Sequence, residues 1–173
     1  GLVLGNTVNL IAEQTLVNLG GKIQALDSAT LIGKQGIEIA SQTSSSQNHD
    51  MFGNAFAHTN IDRQAELDVK GKLTIYSPKD VALKATNVNA DVIHIQGDKV
   101  ELGTVTTANK QHYNADADNY YRLDQTQEVG NHLNAKNAVN IISENHTALR
   151  QATVHSDNGT VAIASRKGDV LIQ

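Results

Sequence analysis

The sequence has no cysteine, no tryptophan and a single proline, Pro78. Without cysteine there are no disulfide staples and no Cys-based zinc or redox site. That absence does not fix the compartment, but it suits a chain that crosses a membrane unfolded. Aromatic residues are only 3% of the chain: four Tyr and two Phe. The core must therefore be filled by Val, Ile, Leu and Ala. Such side chains suit a narrow interior of stacked medium-sized groups better than a broad sandwich anchored by large rings. No stretch approaches the roughly 20 apolar residues of a membrane-spanning helix. Fourteen Lys and Arg face eighteen Asp and Glu, for a net charge of -4. The basic residues are scattered, so the electrostatic footprint of nucleic-acid binding is missing.

What the chain does have is alternation. Leu67 to Gly103 reads as short runs with one apolar residue in, one polar residue out: Leu73-Thr74-Ile75, Val81-Ala82-Leu83, Val92 to Ile95, Val100-Glu101-Leu102. That is the period of a half-buried strand. Gly, Asn, Asp, Lys and Pro fill the gaps, which are too short for helices and suited to tight corners. The pattern occurs in three copies: 6–41, 67–103 and 133–173. The second and third align closely, Leu67 with Leu133, Leu73 with Val139, Ile75 with Ile141 and Ser77 with Ser143.

Within a copy, strands recur about every 20 residues, the scale of one solenoid coil. Val8 to Ala29, Leu73 to Ile93 and Val139 to Val161 are such steps. Helical solenoids have longer repeats, and the Leu and Asn framework of leucine-rich repeats is absent. The chain is expected to be all-β: a single β-solenoid segment over 1–173, parallel strands stacked coil on coil, with Gly and Asn at the corners. The inward positions are expected at Leu10, Ile23, Ile39, Leu73, Ile75, Leu83, Ile95, Leu102, Val139, Ile141, Leu149, Val161, Ile163 and Ile172, which share one phase of the alternation. Gly1 to Ala12 shows no charged leader or cleavage site. The sequence starts and stops inside an alternating pattern, so the expectation is a stretch of a longer array with bare ends. Bare ends predict head-to-tail self-association.

Two polar excursions separate the copies, 42–66 and 104–130. They share an entry, Ser41-Gln42-Thr43-Ser44 against Thr104-Val105-Thr106-Thr107, and His49 matches His112. Loops this long are uncommon. Each is expected to be an extra-helical hairpin or a flap over the coil face, with a short helix near Asp62 to Val69 as a further possibility. The excursions hold both Phe, the only Met and three of the four Tyr.

Several blocks resemble the filamentous-haemagglutinin-like exoproteins. Leu16-Val17-Asn18-Leu19-Gly20-Gly21-Lys22-Ile23-Gln24-Ala25 is similar to the family's N-L-G-G-x-I-x-A turn. Gly36 to Thr43, followed by Asn60 to Ala65, is similar to a second segment, as is Val100 to Thr107 running on to Gln125 to Gly130. The order of the blocks also matches. Where the family has A-G-x-D-I corners, this chain has Ser77-Pro78-Lys79-Asp80-Val81 and Ser143-Glu144-Asn145-His146-Thr147. The resemblance implies that the fold, with its two extra-helical excursions read above, is a right-handed parallel β-helix, exported unfolded through an outer-membrane two-partner-secretion transporter and displayed as a filament. It implies a secreted protein on the cell surface of a Gram-negative bacterium. In the members that carry contact-dependent growth-inhibition toxins, such repeats help deliver a C-terminal toxin across the target cell's outer membrane. The alternative it leaves is the stalk of an adhesin that binds host glycans or proteins.

Candidate sites are few. The seven histidines, His49, His58, His94, His112, His132, His146 and His155, lack the paired spacing of a zinc enzyme and read as surface or corner residues. His94 is expected to face outward. Asp116, Asp118 and Asp124 suggest calcium, but the Gly and the closing Glu of an EF-type loop are not in place. Tyr113, Tyr120 and Tyr121, with His112 and Arg122, form the candidate contact for a sugar or a partner protein. The plainer expectation is that these rings cover an apolar coil face and close the flap. A carbohydrate-active β-helix enzyme needs clustered carboxylates on one face. Here Asp and Glu fall mostly at corners, and Ser44-Ser45-Ser46 reads as loop. No catalytic residue, cofactor or metal ligand is assigned.

Overall fold

The computed structural model describes residues 1–173, folded into sixteen β-strands with no helix. Twelve strands form parallel ladders and four form a separate antiparallel sheet. The parallel strands follow one another in circuits. The first circuit is β1 (Leu2–Ala12) and β2 (Thr15–Leu19); the second is β3 (Lys22–Gly33) and β4 (Gly36–Ala40). The third is β7 (Ala65–Val69), β8 (Lys72–Tyr76) and β9 (Val81–Lys84). The fourth and fifth are the long, bent β10 (Thr86–Gly103) and β13 (His132–Leu149). The sixth is β14 (Thr153–Ser156), β15 (Thr160–Ser165) and β16 (Asp169–Ile172).

Each circuit pairs in parallel with the next along three faces. The first face carries the ladder Val3, Ile23, Leu67, Val88, Leu133, Val154. The second carries Leu10, Leu31, Ile75, Ile95, Ile141, Ile163. The third carries Asn18, Ile39, Leu83, Leu102, Leu149, Ile172. This is the pairing of a parallel β-helix. One turn takes between 19 residues (Leu83 to Leu102) and 23 (Leu149 to Ile172) where no hairpin intervenes. The three sequence copies are thus two circuits each. They begin slightly earlier than the sequence pattern suggests, at Leu2, Ala65 and His132.

Side-chain stacking explains the composition. The three ladders meet in one core of 26 buried residues, all Val, Leu, Ile or Ala. Every Tyr and Phe lies outside the buried core. One hydroxyl pair interrupts it: Thr147 Oγ1 donates to Ser143 Oγ at 2.7 Å, both buried at a corner of the fifth circuit. The expected inward set is buried from Ile23 to Leu149. At the ends the phase holds but the cover does not. Leu10 and Ile163 are partly buried, Val161 is 39% exposed and Ile172 72% exposed, because nothing stacks on the outer circuits. His94 does point outward, its Nε2 3.2 Å from Gln96 Oε1.

The corners depart from expectation in their chemistry. Gly20 adopts φ 65°, where a Cβ would lie 2.5 Å from Arg63 Cβ. The two equivalent corners use Ala85 and Gln151, both at φ 51°, rather than Gly or Asn. All three sit where one circuit runs directly into the next. Asn does serve elsewhere, as Asn–Asp steps between circuits: Asn137 Nδ2 donates to Asp91 Oδ1, and Asn145 Nδ2 to Asp98 Oδ1.

The excursions are hairpins. The first is β5 (Gln42–His49) and β6 (Ala55–Arg63), the second β11 (Val105–Asn114) and β12 (Tyr120–Val129). Asp62 and Arg63 end β6, and Ala65–Val69 is a strand of the third circuit, so the helix considered near Asp62 to Val69 does not form; the alternation of Ala65, Leu67 and Val69 into the core overrides it.

Candidate functional site

Both hairpins leave the coil at the same corner, and buried polar groups hold their bases. Ser41, 6% exposed, donates from Oγ to the Ala85 carbonyl at 2.7 Å and accepts from the Ala65 N–H at 2.8 Å. Gln64 Nε2 donates to the same carbonyl. Asn131, fully buried, closes the second hairpin. Its Oδ1 accepts from the Thr86 N–H at 2.8 Å, and its Nδ2 donates to the carbonyls of Leu83 (3.0 Å) and Gly103 (2.9 Å). A chain that leaves the ladder strips partners from buried backbone groups, and an unmade buried hydrogen bond costs on the order of 1–3 kcal/mol. These side chains restore the lost partners.

The hairpins do not act singly. The chain leaves circuit 2 as β5 and returns to circuit 3 as β6; it leaves circuit 4 as β11 and returns to circuit 5 as β12. Circuits rise about 4.8 Å each, the same as the spacing of paired strands in any sheet. The four strands therefore arrive side by side in step. β6 and β11 pair antiparallel from Ala108 opposite Thr59 to His112 opposite Ala55, giving one sheet in the order β5-β6-β11-β12.

Opposed residues of a sheet share a face. One face carries Asn48, Phe56, Gln111 and Leu123 in a row, with Tyr113 opposite Tyr121 nearer the tip. The other carries His49, Ala55, His112 and Arg122 in a row, with Tyr120 opposite Asn114. The five candidate contact residues are thus divided: Tyr113 and Tyr121 on one face, His112, Tyr120 and Arg122 on the other. His112 Nε2 lies 3.3 Å from Asp124 Oδ1, and Arg122 Cζ lies 5.8 Å from the Tyr120 ring centre.

The rings do not cover the coil. Tyr113, Tyr120 and Tyr121 are 52%, 65% and 51% exposed at the outer end of the sheet, and the hairpin strands make their contacts with one another. The reason is reach. Tyr113 stands eight residues from the start of β11 at Val105, about 27 Å at a strand's rise of roughly 3.4 Å per residue.

The tips form a cleft of about 740 Å³ lined by Phe52, Tyr113, Tyr120, Arg122, Asn114 and Asp116 among others. Phe52, Asn114 and Asp116 were not among the candidate contacts. Both tip loops are built alike. Asp50 Oδ1 accepts from the N–H groups of Phe52 (2.8 Å) and Asn54 (2.9 Å), and Asn54 Nδ2 donates to Oδ2 (2.6 Å). Asp116 Oδ1 accepts from Asp118 and Asn119 N–H groups at 2.9 Å, and Asn119 Nδ2 donates to both oxygens. The Asn donors, Asn54 and Asn119, hold the two carboxyls below their ordinary value of 3.8, helped by the backbone N–H groups. The signal was in the sequence as Asp50 to Asn54 and Asp116 to Asn119, an Asp with an Asn three or four residues on, which forms an Asx turn. Of the aspartates weighed for calcium, Asp116 accepts from its own loop and Asp124 faces His112. The tips also join: the Asn114 N–H donates to Asn54 Oδ1 at 2.8 Å.

The arrangement offers exposed rings, one guanidinium and two carboxylates already engaged by loop donors. Comparison of the chain with family models, with curated proteins and with solved structures finds no match.

Proposed function

We propose that this chain is a structural repeat segment of a large, secreted, filamentous exoprotein of the haemagglutinin-like kind, displayed on a Gram-negative cell surface. Its most favoured role is in a contact-dependent growth-inhibition protein, where the repeats help carry a C-terminal toxin into target bacteria. The observation that carries this reading is the placing of the resembling blocks. Gly36 to Ser41 and Val100 to Thr104 occupy equivalent places, each ending the third face and running into a hairpin. Leu16 to Ala25 spans the left-handed Gly20 corner between two circuits. The blocks mark units of a two-circuit repeat. A cysteine-free chain also suits export through the outer-membrane transporter in the unfolded state.

The second reading, an adhesin stalk, is favoured by one observation: the exposed Phe52, Tyr113 and Tyr120 at the hairpin tips, with Arg122 Cζ 5.8 Å from the Tyr120 ring centre. Rings with adjacent polar donors suit a sugar face or a partner protein's loop.

The test is deletion of this segment from the parent exoprotein. Surface display, attachment and killing of target bacteria are then measured separately. The proposal expects display and attachment to persist while killing falls. Loss of attachment alone would support the adhesin. Unchanged killing and attachment would overturn both readings.

A further inference from the structure

The two faces of the hairpin sheet differ in charge. β11 and β12 carry Lys110, Arg122, Asp124 and Glu128, and all four lie on the face with His112: Lys110 is opposed to Asp124, His112 to Arg122 and Thr106 to Glu128. The other face has no Lys, Arg, Asp or Glu from β5, β11 or β12, and β6 brings charge only at its base, Asp62 and Arg63. A neighbouring unit's hairpin, joined at either edge of the sheet, would widen this uncharged face and leave it open.

A groove of about 720 Å³ runs over its inner half. Asn60, Thr107, Asn109, Gln125 and Gln127 line it from three strands, and Ala108 is its one apolar residue. Asp124 borders the groove but turns to the other face, where its Oδ1 lies 3.3 Å from His112 Nε2. Asn109 Oδ1 is enclosed and accepts no hydrogen bond. Such an acceptor is unfavourable until a donor reaches it. Outward of the groove, on the same face, stand Phe56 and the opposed pair Tyr113 and Tyr121, all exposed. From Gln127 to Tyr121 the face extends about 20 Å along β12, room for several sugars in line.

We propose that this face binds a neutral glycan, its hydroxyls held by the amide groove and one sugar ring stacked at the Tyr113–Tyr121 pair. A carboxamide both donates and accepts, which matches a sugar hydroxyl. An aromatic ring covers the apolar face of a sugar while its polar edge stays wet. The missing cations argue against nucleic acid, acidic lipid or a sulfated polymer, each of which is held by Lys and Arg. The amide lining argues against a protein partner, whose contact centres on buried apolar side chains. The inference rests on the adhesin reading in one respect, that the hairpins contact a glycan. It moves that contact from the tip cleft to the uncharged face and names the class of sugar.

Binding of the 173-residue chain to immobilised oligosaccharides tests this, with neutral members built of hexose and N-acetylhexosamine set beside sialylated and sulfated ones. The expected result is binding to neutral members that persists in about 0.5 M salt, since no ion pair is involved. The double variant Asn109→Ala, Gln125→Ala should weaken it at least about tenfold, and Tyr121→Ala likewise, with an unchanged far-UV spectrum. In the unaltered chain, the side-chain amide NMR signals of Asn109 and Gln125 should shift when the bound oligosaccharide is added, a reading that depends on no variant folding. Phe52→Ala and Arg122→Gln, in the tip cleft, should bind as the unaltered chain does. Binding lost in those two and kept in the groove variants would place the sugar in the cleft; that overturns the inference and leaves the adhesin reading standing. Binding confined to acidic members and lost in salt would overturn it too. A chain that binds no member overturns it as well, and the attachment assay on the parent exoprotein then judges the adhesin reading separately.

Discussion

At the scale of single residues, side-chain hydrogen bonds decide where the chain turns. Asp50 and Asp116 each close a tip loop as ionised acceptors. Because both carboxyls titrate below 3.8 when folded, they favour the closed tips above the ordinary carboxylate value, and that contribution is lost as pH falls through the folded value. Carbon-detected NMR titration should give midpoints for both below 3.8. Asn54→Ala should move the Asp50 midpoint upward while leaving Asp116 in place; a midpoint for Asp50 that ignores Asn54 would contradict the assignment. In the core, Ile75 is fully buried and its neighbour Thr74 points outward. Ile75→Asp buries a charge with no partner and should cost about 4 kcal/mol or more, whereas Thr74→Asp should change stability by about 0.5 kcal/mol or less. Equal loss in urea unfolding from the two variants would show the phase to be inverted.

At the scale of elements, the strands were the legible part. Alternation fixes which side chain points inward, and it placed Ile75 over Ile95 and Ile141 because a parallel stack repeats like over like. Steps such as Val8 to Ala29, Leu73 to Ile93 and Val139 to Val161 proved to be true neighbours across circuits. The corners were less legible. Ala85 and Gln151 take a left-handed backbone that composition assigns to Gly or Asn, and only the circuit around them imposes it. The hairpin tips were half legible: the aromatic residues stood out, but their division between two faces depends on strand parity counted from the turns at Asp50 and Asp116. The pairing of β6 with β11 has no signal in either strand, because it follows from the rise of the coil beneath them. The element prediction concerns the second hairpin. Deleting Asn109 to Arg122 leaves Leu123 to Gln125 as a turn opposite Ala108. Since Tyr113, Tyr120 and Tyr121 stand clear of the coil, Tm should shift by less than about 4 °C, below the effect of roughly 1 kcal/mol in a domain of this length. A drop of 10 °C or so in a thermal scan would mean that the hairpins brace the coil.

At the scale of the molecule, one spacing governs two sheets. The coil rises by a strand's width per circuit, so hairpins emitted on alternate returns have no choice but to align as neighbours. The inward apolar rows lose their cover at the outer circuits, with Val3 39% exposed at one and Val161 and Ile172 39% and 72% exposed at the other. The coil stacks its circuits along one axis and presents its hairpins sideways. The two hairpins form one sheet in the register that the coil dictates. Engineered disulfides test it directly, since the chain has no cysteine of its own. Ala57 and Lys110 are opposed across β6 and β11, so the pair Ala57→Cys, Lys110→Cys should oxidise readily and leave the fold intact. The pair Ala57→Cys, Ala108→Cys is two residues out of register, too far for a bridge without backbone movement. Bridging in the first pair and not the second is the predicted result; bridging in neither, or equally in both, would contradict the shared sheet.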